Sequence, residues 1–251
     1  MKFIKNHPAL FIPEIKSLVI ADLHIGISYE LYKSGINIPS QVKKMKKTIE
    51  KLIKQTKAKR LITLGDVKHD IPGISVQELR EIPEFLKALS RKIRVEICLG
   101  NHDTYLKEIL PEKIKLHGTK GFKIKNFGFS HGHAWPSKEL LLCDYLMISH
   151  THPTIQFTDK FGYRIVEPVW IKSKIDQKKV KERYKVKKTG KLEVIIMPAF
   201  NNLLGGTPVN IKTTSNELLG PLLKNRFVDM NNAELYLLDG TYLGRLKSIR
   251  T

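Results

Sequence analysis

The chain has 251 residues, 41% of them hydrophobic, with two cysteines and a formal net charge of +20. That length suits one large α/β domain with a sizeable core, and the composition excludes a disordered chain, a disulfide framework and, with no Cys-x-x-Cys, a thiolate zinc site. No apolar run is long enough to cross a bilayer, and MKFIKNHPALFIPEIKS at the N-terminus lacks the apolar centre of a signal peptide, so a cytoplasmic location with no membrane partner is expected.

The predicted elements begin with an apolar run, SLVIADLH (17–24), that reads as a buried strand opening into a polar loop. Residues 40–57 read as a helix: Ser40 is its expected cap, and Val42, Met45, Ile49, Leu52 and Ile53 recur at helical spacing. A second strand follows in RLITLGDVKH (60–69). A second helix spans 75–90, with Val76, Leu79, Ile82, Phe85, Leu86 and Leu89 on one side and Pro83 expected to kink or break it. A third strand lies in IRVEICLGNHD (93–103). The β-α-β-α-β order predicts a parallel sheet. Beyond residue 120 the strands crowd together. GFKIKNFGFSHG reads as a hairpin turning at Asn126, YLMISHTH (145–152) as another strand, and further strands fall near 163–168, 192–196 and 234–238. The expected fold is α/β: a four-layer α-β-β-α sandwich of two mixed sheets flanked by helices, with residues 1–251 as a single domain.

Cys98 and Cys143 both lie in apolar runs and are expected as small buried side chains. Lys and Arg outnumber Asp and Glu by 44 to 24. A field of that size attracts polyanions such as DNA or RNA, although a lysine-rich solvated surface is the plainer alternative. Half of residues 172–191 are Lys or Arg. This stretch is either a solvated basic loop or helix, or an arm for phosphate backbones.

Several strands end in residues that carry chemistry, as α/β folds favour. Asp22 and His24, two apart at a strand end, point the same way and can grip one ion. Asp66 follows a glycine, which lets backbone approach a ligand, and one carboxylate there can hold two ions roughly 3.5–4 Å apart. In Gly100-Asn101-His102-Asp103 the Asn101 carbonyl suits a divalent cation. His102 beside it can protonate a leaving oxygen, and Asp103 can hold that imidazole in the required tautomer. His131, His133, His150 and His152 add clustered imidazoles. Six of the nine histidines fall in these segments, which packing alone does not explain. Imidazole with carboxylate and no thiolate points to Mn, Fe or Zn.

In this order, DLH, GD, GNHD, HGH and HTH resemble the five signature blocks of the calcineurin-like metallophosphoesterases. ADLHIGISYELYKSGINIP, GDVKH, HGHAWP and MPAFNN are similar to the SbcD-related archaeal and bacterial ligase-associated branch of that superfamily. The resemblance implies that Asp22, His24 and His152 bind one ion, that Asn101, His131 and His150 bind a second, and that Asp66 bridges them. His102 would be the acid and Asp103 its partner. Ser149 departs from the pattern, which has glycine before the final HxH. His133 is expected either to touch substrate or to sit just behind the ligands. His69, Lys68, Tyr29, Tyr32 and Asn201 are candidates to line the groove, each with a surface or packing role as the plainer reading, and Trp135 and Trp170 could stack on bases or simply be half-buried.

The expected function is therefore hydrolysis of phosphodiester bonds by a metal-bridging hydroxide. The cofactors would be two divalent ions, manganese first, with Fe, Zn or Ni as alternatives. The substrate would be nucleic acid, DNA or RNA, in a nuclease-like, DNA-repair-related role. Two alternatives stand beside it: a phosphodiesterase or phosphomonoesterase on small nucleotides, and a metal-containing nucleic-acid-binding subunit with little catalysis. No heptad or interface stripe decides between monomer and homodimer.

Overall fold

The computed structural model describes residues 1–211 and 219–250. A first sheet carries β1 (Lys2–Phe3), β2 (Leu10–Ile12), β3 (Ser17–Ala21), β4 (Arg60–Leu64), β5 (Arg94–Cys98) and β6 (Lys115–His117), side by side in that order. β3 to β6 run parallel, and β1 and β2 add an antiparallel edge. The crossover from β3 to β4 contains α1 (Ile27–Lys33) and α2 (Val42–Thr56), and that from β4 to β5 contains α3 (Val76–Ser90).

The second sheet holds β7 (Phe122–Ile124), β8 (Phe127–Phe129), β9 (Tyr145–Ile148), β10 (Pro153–Thr158), β11 (Arg164–Lys174), β12 (Glu193–Ile196), β13 (Thr207–Pro208), β14 (Glu234–Leu237) and β15 (Tyr242–Arg245). Its spatial order is β13-β10-β11-β12-β9-β8-β7, with β14 on β11 and β15 on β14. β9 is parallel to both β8 and β12, while β7–β8 and β10–β11 are antiparallel, so this sheet is mixed. Three short helices follow: α4 (Gln177–Tyr184), α5 (Pro221–Lys224) and α6 (Leu246–Ile249).

Strand periodicity sorts the core into layers, because successive side chains face opposite ways. Leu18, Ile20, Leu61, Val95 and Ile97 pack with Met45, Ile49, Leu52, Ile82, Phe85 and Leu89 of α2 and α3. Their neighbours Val19, Ala21, Ile62, Leu64 and Cys98 meet Phe127, Phe129, Met147, Trp170 and Ile195 between the two sheets. The alternate residues Leu146, Ile148, Val169, Ile171, Val194 and Ile196 pack with Val180 of α4, Leu222 and Leu223 of α5 and Leu246 of α6. The expected sandwich of two mixed sheets flanked by helices is what forms. Both cysteines are buried and free. Among the described residues, no helix is long and apolar enough to cross a membrane.

Three local expectations need correction. The cap of α2 is Gln41 rather than Ser40, although the Ser40 hydroxyl accepts the Val42 N–H at 3.3 Å. Pro83 does not break α3. A capping box between Ser75 and Glu78 fixes its first turn, and Ile82, Phe85, Leu86 and Leu89 bury its inner face across the missing N–H. The strand expected near 163–168 runs on to Lys174 and takes in the first residues of the basic stretch. Val169, Trp170 and Ile171 are buried on both faces and draw it into the sheet. Trp170 stacks on Phe3 at 4.4 Å, so it is core rather than a platform for bases. The hairpin does turn at Asn126, since Ile124 pairs with Phe127 across Lys125 and Asn126. The rest of the basic stretch includes α4, capped by the Asp176 carboxylate and pinned by buried Val180.

Candidate metal centre

Five strands deliver their C-terminal ends to one place. β3 leads into Asp22 and His24, β4 into Asp66, β5 into Asn101 and His102, β8 into His131, and β9 into His150 and His152. The backbone is left-handed at Asp22 (φ 54°), His24 (39°), Asp66 (48°), His150 (71°) and His152 (44°). L-residues adopt that region at a cost, and such strain gathers at sites that need side chains aimed inward. Two glycines make room. A Cβ on Gly65 (φ 73°) would stand 2.5 Å from the His131 ring, and one on Gly100 would stand 2.1 Å from Asp66 Oδ1.

The donor atoms fall into overlapping groups. Asp22, His24 and His152 converge in one, and Asp66, His131 and His150 in another. In the first, His152 Nε2 is 3.6 Å from Asp22 Oδ1. In the second, His131 Nε2 is 3.1 Å from both Asn101 Oδ1 and His150 Nδ1. Asp66 Oδ2 lies between them, 3.4 Å from His24 Nε2 and 3.2 Å from His131 Nε2. A third group, His24, His69 and His102, shares His24 with the first.

The donors fit divalent cations. Both oxygens of Asp22, together with Nε2 of His24 and of His152, are buried without a hydrogen-bond partner. Leaving such groups dry is costly, and a cation would complete them all. The N and O donors suit a borderline or hard divalent ion. Protonation answers the same need: burial presses the His131 imidazole down, yet the Asp66 and Asp22 carboxylates outweigh it and hold it up at about 9. Burial opposes ionisation of Asp66 too, but His131 and His24 keep its carboxyl well below the usual range. Burial, reinforced by His131, pushes His133 and His150 down to about 4, and burial also lowers His24.

Around this cluster the supporting contacts differ from those the sequence predicts. Asp103 does not hold His102. Its Oδ1 accepts the N–H groups of Val67 (2.8 Å) and Lys68 (3.3 Å) and its Oδ2 that of Gly100 (2.8 Å), so it ties the β4 and β5 loops together. Burial, then the Asp66 charge, pushes it up to about 6. The His102 ring instead meets the carbonyl of His69 through Nδ1 at 2.5 Å. Lys68 does not line a groove: it is fully buried, with its ammonium on the carbonyls of Asp70 and Gly73. Asn201 is buried as well and donates to the Leu23 carbonyl at 2.8 Å, bracing the loop between Asp22 and His24. Tyr32 is exposed. His133 stays beside the cluster, its ring 5.9 Å from that of His150.

Ser149 needs no glycine freedom, because the positive φ angles fall at His150 and His152. Its hydroxyl donates to the Leu64 carbonyl at 2.8 Å, beside His131 Nδ1, which meets the same carbonyl at 2.8 Å. Two contributors escape motif reading. Glu78, fully buried in α3, accepts the N–H groups of His69 (2.7 Å), Asp70 (2.8 Å) and Ser75 (2.6 Å). Glu30 lies 2.5 Å from His69 Nε2. The capping spacing Ser-x-x-Glu flags Glu78 as a helix cap, but nothing local flags its second task.

A family profile for calcineurin-like phosphoesterases matches residues 15–236. The nuclease MPE of Pseudomonas putida superposes with a TM-score of 0.55 at 19% identity, over 92% of this chain and 89% of its own, a likeness of fold. Yfce, a phosphoesterase from E. coli, superposes with a TM-score of 0.42 at 13% identity, over 91% of this chain and 97% of its own. No curated protein matches the chain. Because the profile spans most of its length, the chain belongs to the calcineurin-like phosphoesterases, metal-dependent hydrolases of phosphoester bonds.

Proposed function

We propose that this protein hydrolyses phosphodiester bonds of nucleic acid with the help of two divalent ions. The observation that carries the reading is Asp66 Oδ2, set between His24 Nε2 at 3.4 Å and His131 Nε2 at 3.2 Å. One ion would be held by Asp22, His24 and His152, the other by Asn101, His131 and His150, and Asp66 would be shared. Manganese suits this mixed N/O set, with Fe, Zn or Ni as alternatives. Bound ions supply charge to neutralise phosphate oxygens and to acidify the attacking water.

The chain's own groups do the remaining work. Asp22 and Asp66 are aimed inward by left-handed backbone at strand ends, a preset arrangement that would hold ions with little reorganisation. His102 is anchored through Nδ1 to a carbonyl, and its backbone N–H donates to Asp66 Oδ1 at 2.9 Å. With Nδ1–H on that carbonyl, Nε2 faces away from it, and in the doubly protonated ring Nε2–H would give its proton to the leaving oxygen. His133, with its ring 5.2 Å from that of His131 and 5.9 Å from that of His150, would be available to a bound phosphate.

Nucleic acid is favoured by the surface as well as by the net charge of +20. Directly after His152, β10 and β11 form a ribbon that exposes Phe157, Phe161 and Tyr163 next to Lys160 and Arg164. On the His133 side, Arg183 of basic α4 lies 3.4 Å over the Trp135 ring. Aromatic faces interleaved with cations suit a single strand. The fold neighbour from Pseudomonas putida is itself named a nuclease. The test is hydrolysis of an aryl phosphodiester and of single-stranded DNA, with manganese and with chelator. Metal-dependent turnover of both is expected. Turnover of the aryl ester with no cleavage of DNA would redirect the reading to small nucleotides, and turnover surviving chelation would overturn it.

A further inference from the structure

His69 stands directly behind the candidate ligands, and both its ring nitrogens and its carbonyl are engaged. Its Nδ1 lies 3.0 Å from Nδ1 of His24. Its Nε2 lies 2.5 Å from Oε2 of Glu30 on α1, and its carbonyl oxygen meets Nδ1 of His102 at 2.5 Å. Glu30 decides the donor and acceptor roles. An ionised carboxylate only accepts, so Nε2 of His69 carries the proton. A neutral imidazole then offers Nδ1 as acceptor, and Nδ1 of His24 must donate. Nε2 of His24 is left with its lone pair free, and it is the atom found buried and unpartnered beside Asp66. The carbonyl of His69 acts on His102 in the same sense: it accepts the Nδ1–H hydrogen bond, which keeps that proton on Nδ1 and turns Nε2 away from the carbonyl.

Both ends of this chain of contacts are anchored to the first turn of α3. The His69 N–H is shared between the Ile25 carbonyl (3.0 Å) and Glu78 Oε1 (2.7 Å). Gln77 Oε1 accepts the Tyr29 N–H and the Ser28 hydroxyl, each at 3.0 Å, and so fixes the helix that carries Glu30. We infer that Glu30 and His69 are positioning residues: together they fix the ring and tautomer of His24 for metal binding, while the His69 carbonyl sets His102. The inference rests on the metal site proposed above. Outer partners of metal-bound histidines typically carry roughly 10–100-fold in metal affinity.

The experiment is manganese titration of the full-length, metal-free chain by calorimetry and by the EPR signal of free manganese. Glu30→Ala, Glu30→Gln and His69→Ala are compared with wild type. The Glu30 side chain is 61% exposed, so its removal leaves the core intact even where His69→Ala fails to fold. Expected is a loss of roughly 10-fold or more at one of two sites in Glu30→Ala and His69→Ala, with the other site unchanged. The manganese concentration for half-maximal aryl phosphodiester hydrolysis should rise by the same factor. Glu30→Gln should keep most of the affinity, because its amide oxygen still accepts from Nε2–H. Two ions bound by wild type with unaltered affinity at both sites in Glu30→Ala would overturn the relay and leave the metal reading standing. A third ion in wild type, lost in His69→Ala, would also overturn it and make His24, His69 and His102 a metal site in their own right. A wild type that binds no ion would overturn the metal reading and this inference together.

Discussion

His102 and Asp66 sit in adjoining loops and make opposite predictions. The His102 ring meets the His69 carbonyl through Nδ1, and only its backbone N–H reaches the Asp66 carboxylate, so His102→Ala should keep its metal content and lose about 10²–10⁴-fold in kcat. Metal analysis beside aryl phosphodiester kinetics checks this, and loss of metal would move His102 into the ligand set. Asp66→Asn should lose ions and turnover together, because one oxygen serves both groups of donors. Gly100→Ala should behave like a milder version of it, since the new Cβ would stand 2.1 Å from Asp66 Oδ1. Weaker manganese binding, without global unfolding, is the expected readout. The convergence of the candidate ligands is legible because each closes an apolar strand, where alternation and a breaker residue aim a side chain predictably. Their supports were not. Asp103 looked like the partner of His102 through adjacency in sequence, but a loop can turn neighbours away from one another, and its carboxylate went to three backbone N–H groups instead.

Among the elements, the parallel strands are knitted together by a charged cluster around Glu96. Its Oε1 lies 2.8 Å from Nε of Arg60 on β4 and of Arg94 on β5, and its Oε2 lies 2.7 Å from His117 on β6. Burial would raise the Glu96 carboxyl, but His117, Arg94 and Arg60 outweigh it and hold it at about 2, below the ordinary 4.5. A depressed pKa contributes stability above the unfolded value and loses it as pH falls through the folded one. Glu96→Gln should therefore cost about 1–2 kcal/mol at neutral pH, discounted for the half-exposed Arg94. The difference between variant and wild type should shrink as pH drops from about 4.5 towards 2. Urea unfolding at pH 7 and at pH 3 measures it, and a pH-independent difference would refute the argument. Helix and strand positions were mostly legible from periodicity. Pro83 and the length of β11 were not, because burial of Phe85 and Leu86 in one case, and of Val169 and Trp170 in the other, overrode the local signal.

Across the whole molecule, the proposed metal site predicts that metal binding and folding are coupled. The candidate ligands follow β3, β4, β5, β8 and β9, so ions bound there would cross-link the two sheets. Binding only the folded state stabilises it by about 2.7 kcal/mol when free metal is 100 times Kd. Chelation should accordingly lower the thermal midpoint, and Asp66→Asn, which removes the oxygen shared by both sites, should abolish that response; an unchanged midpoint on chelation would argue against ions shared between the sheets. The net charge of +20 predicts that DNA affinity falls steeply with added salt while aryl phosphodiester hydrolysis barely changes. A flat salt dependence would count against the basic surface as the path of the strand.

The sequence by itself determined the two-sheet architecture and the residues that close the strands, because those rest on local periodicity, and it pointed to the family through the resemblance of five motifs in order. Only the tertiary structure decided who supports whom. Glu78 reaching His69, Glu30 meeting it from α1, Asn201 bracing Leu23, and Trp170 buried against Phe3 are contacts between segments far apart in the chain. No local pattern encodes them: they arise when two sheets close on one another and each buried polar group takes the partner that packing brings within reach.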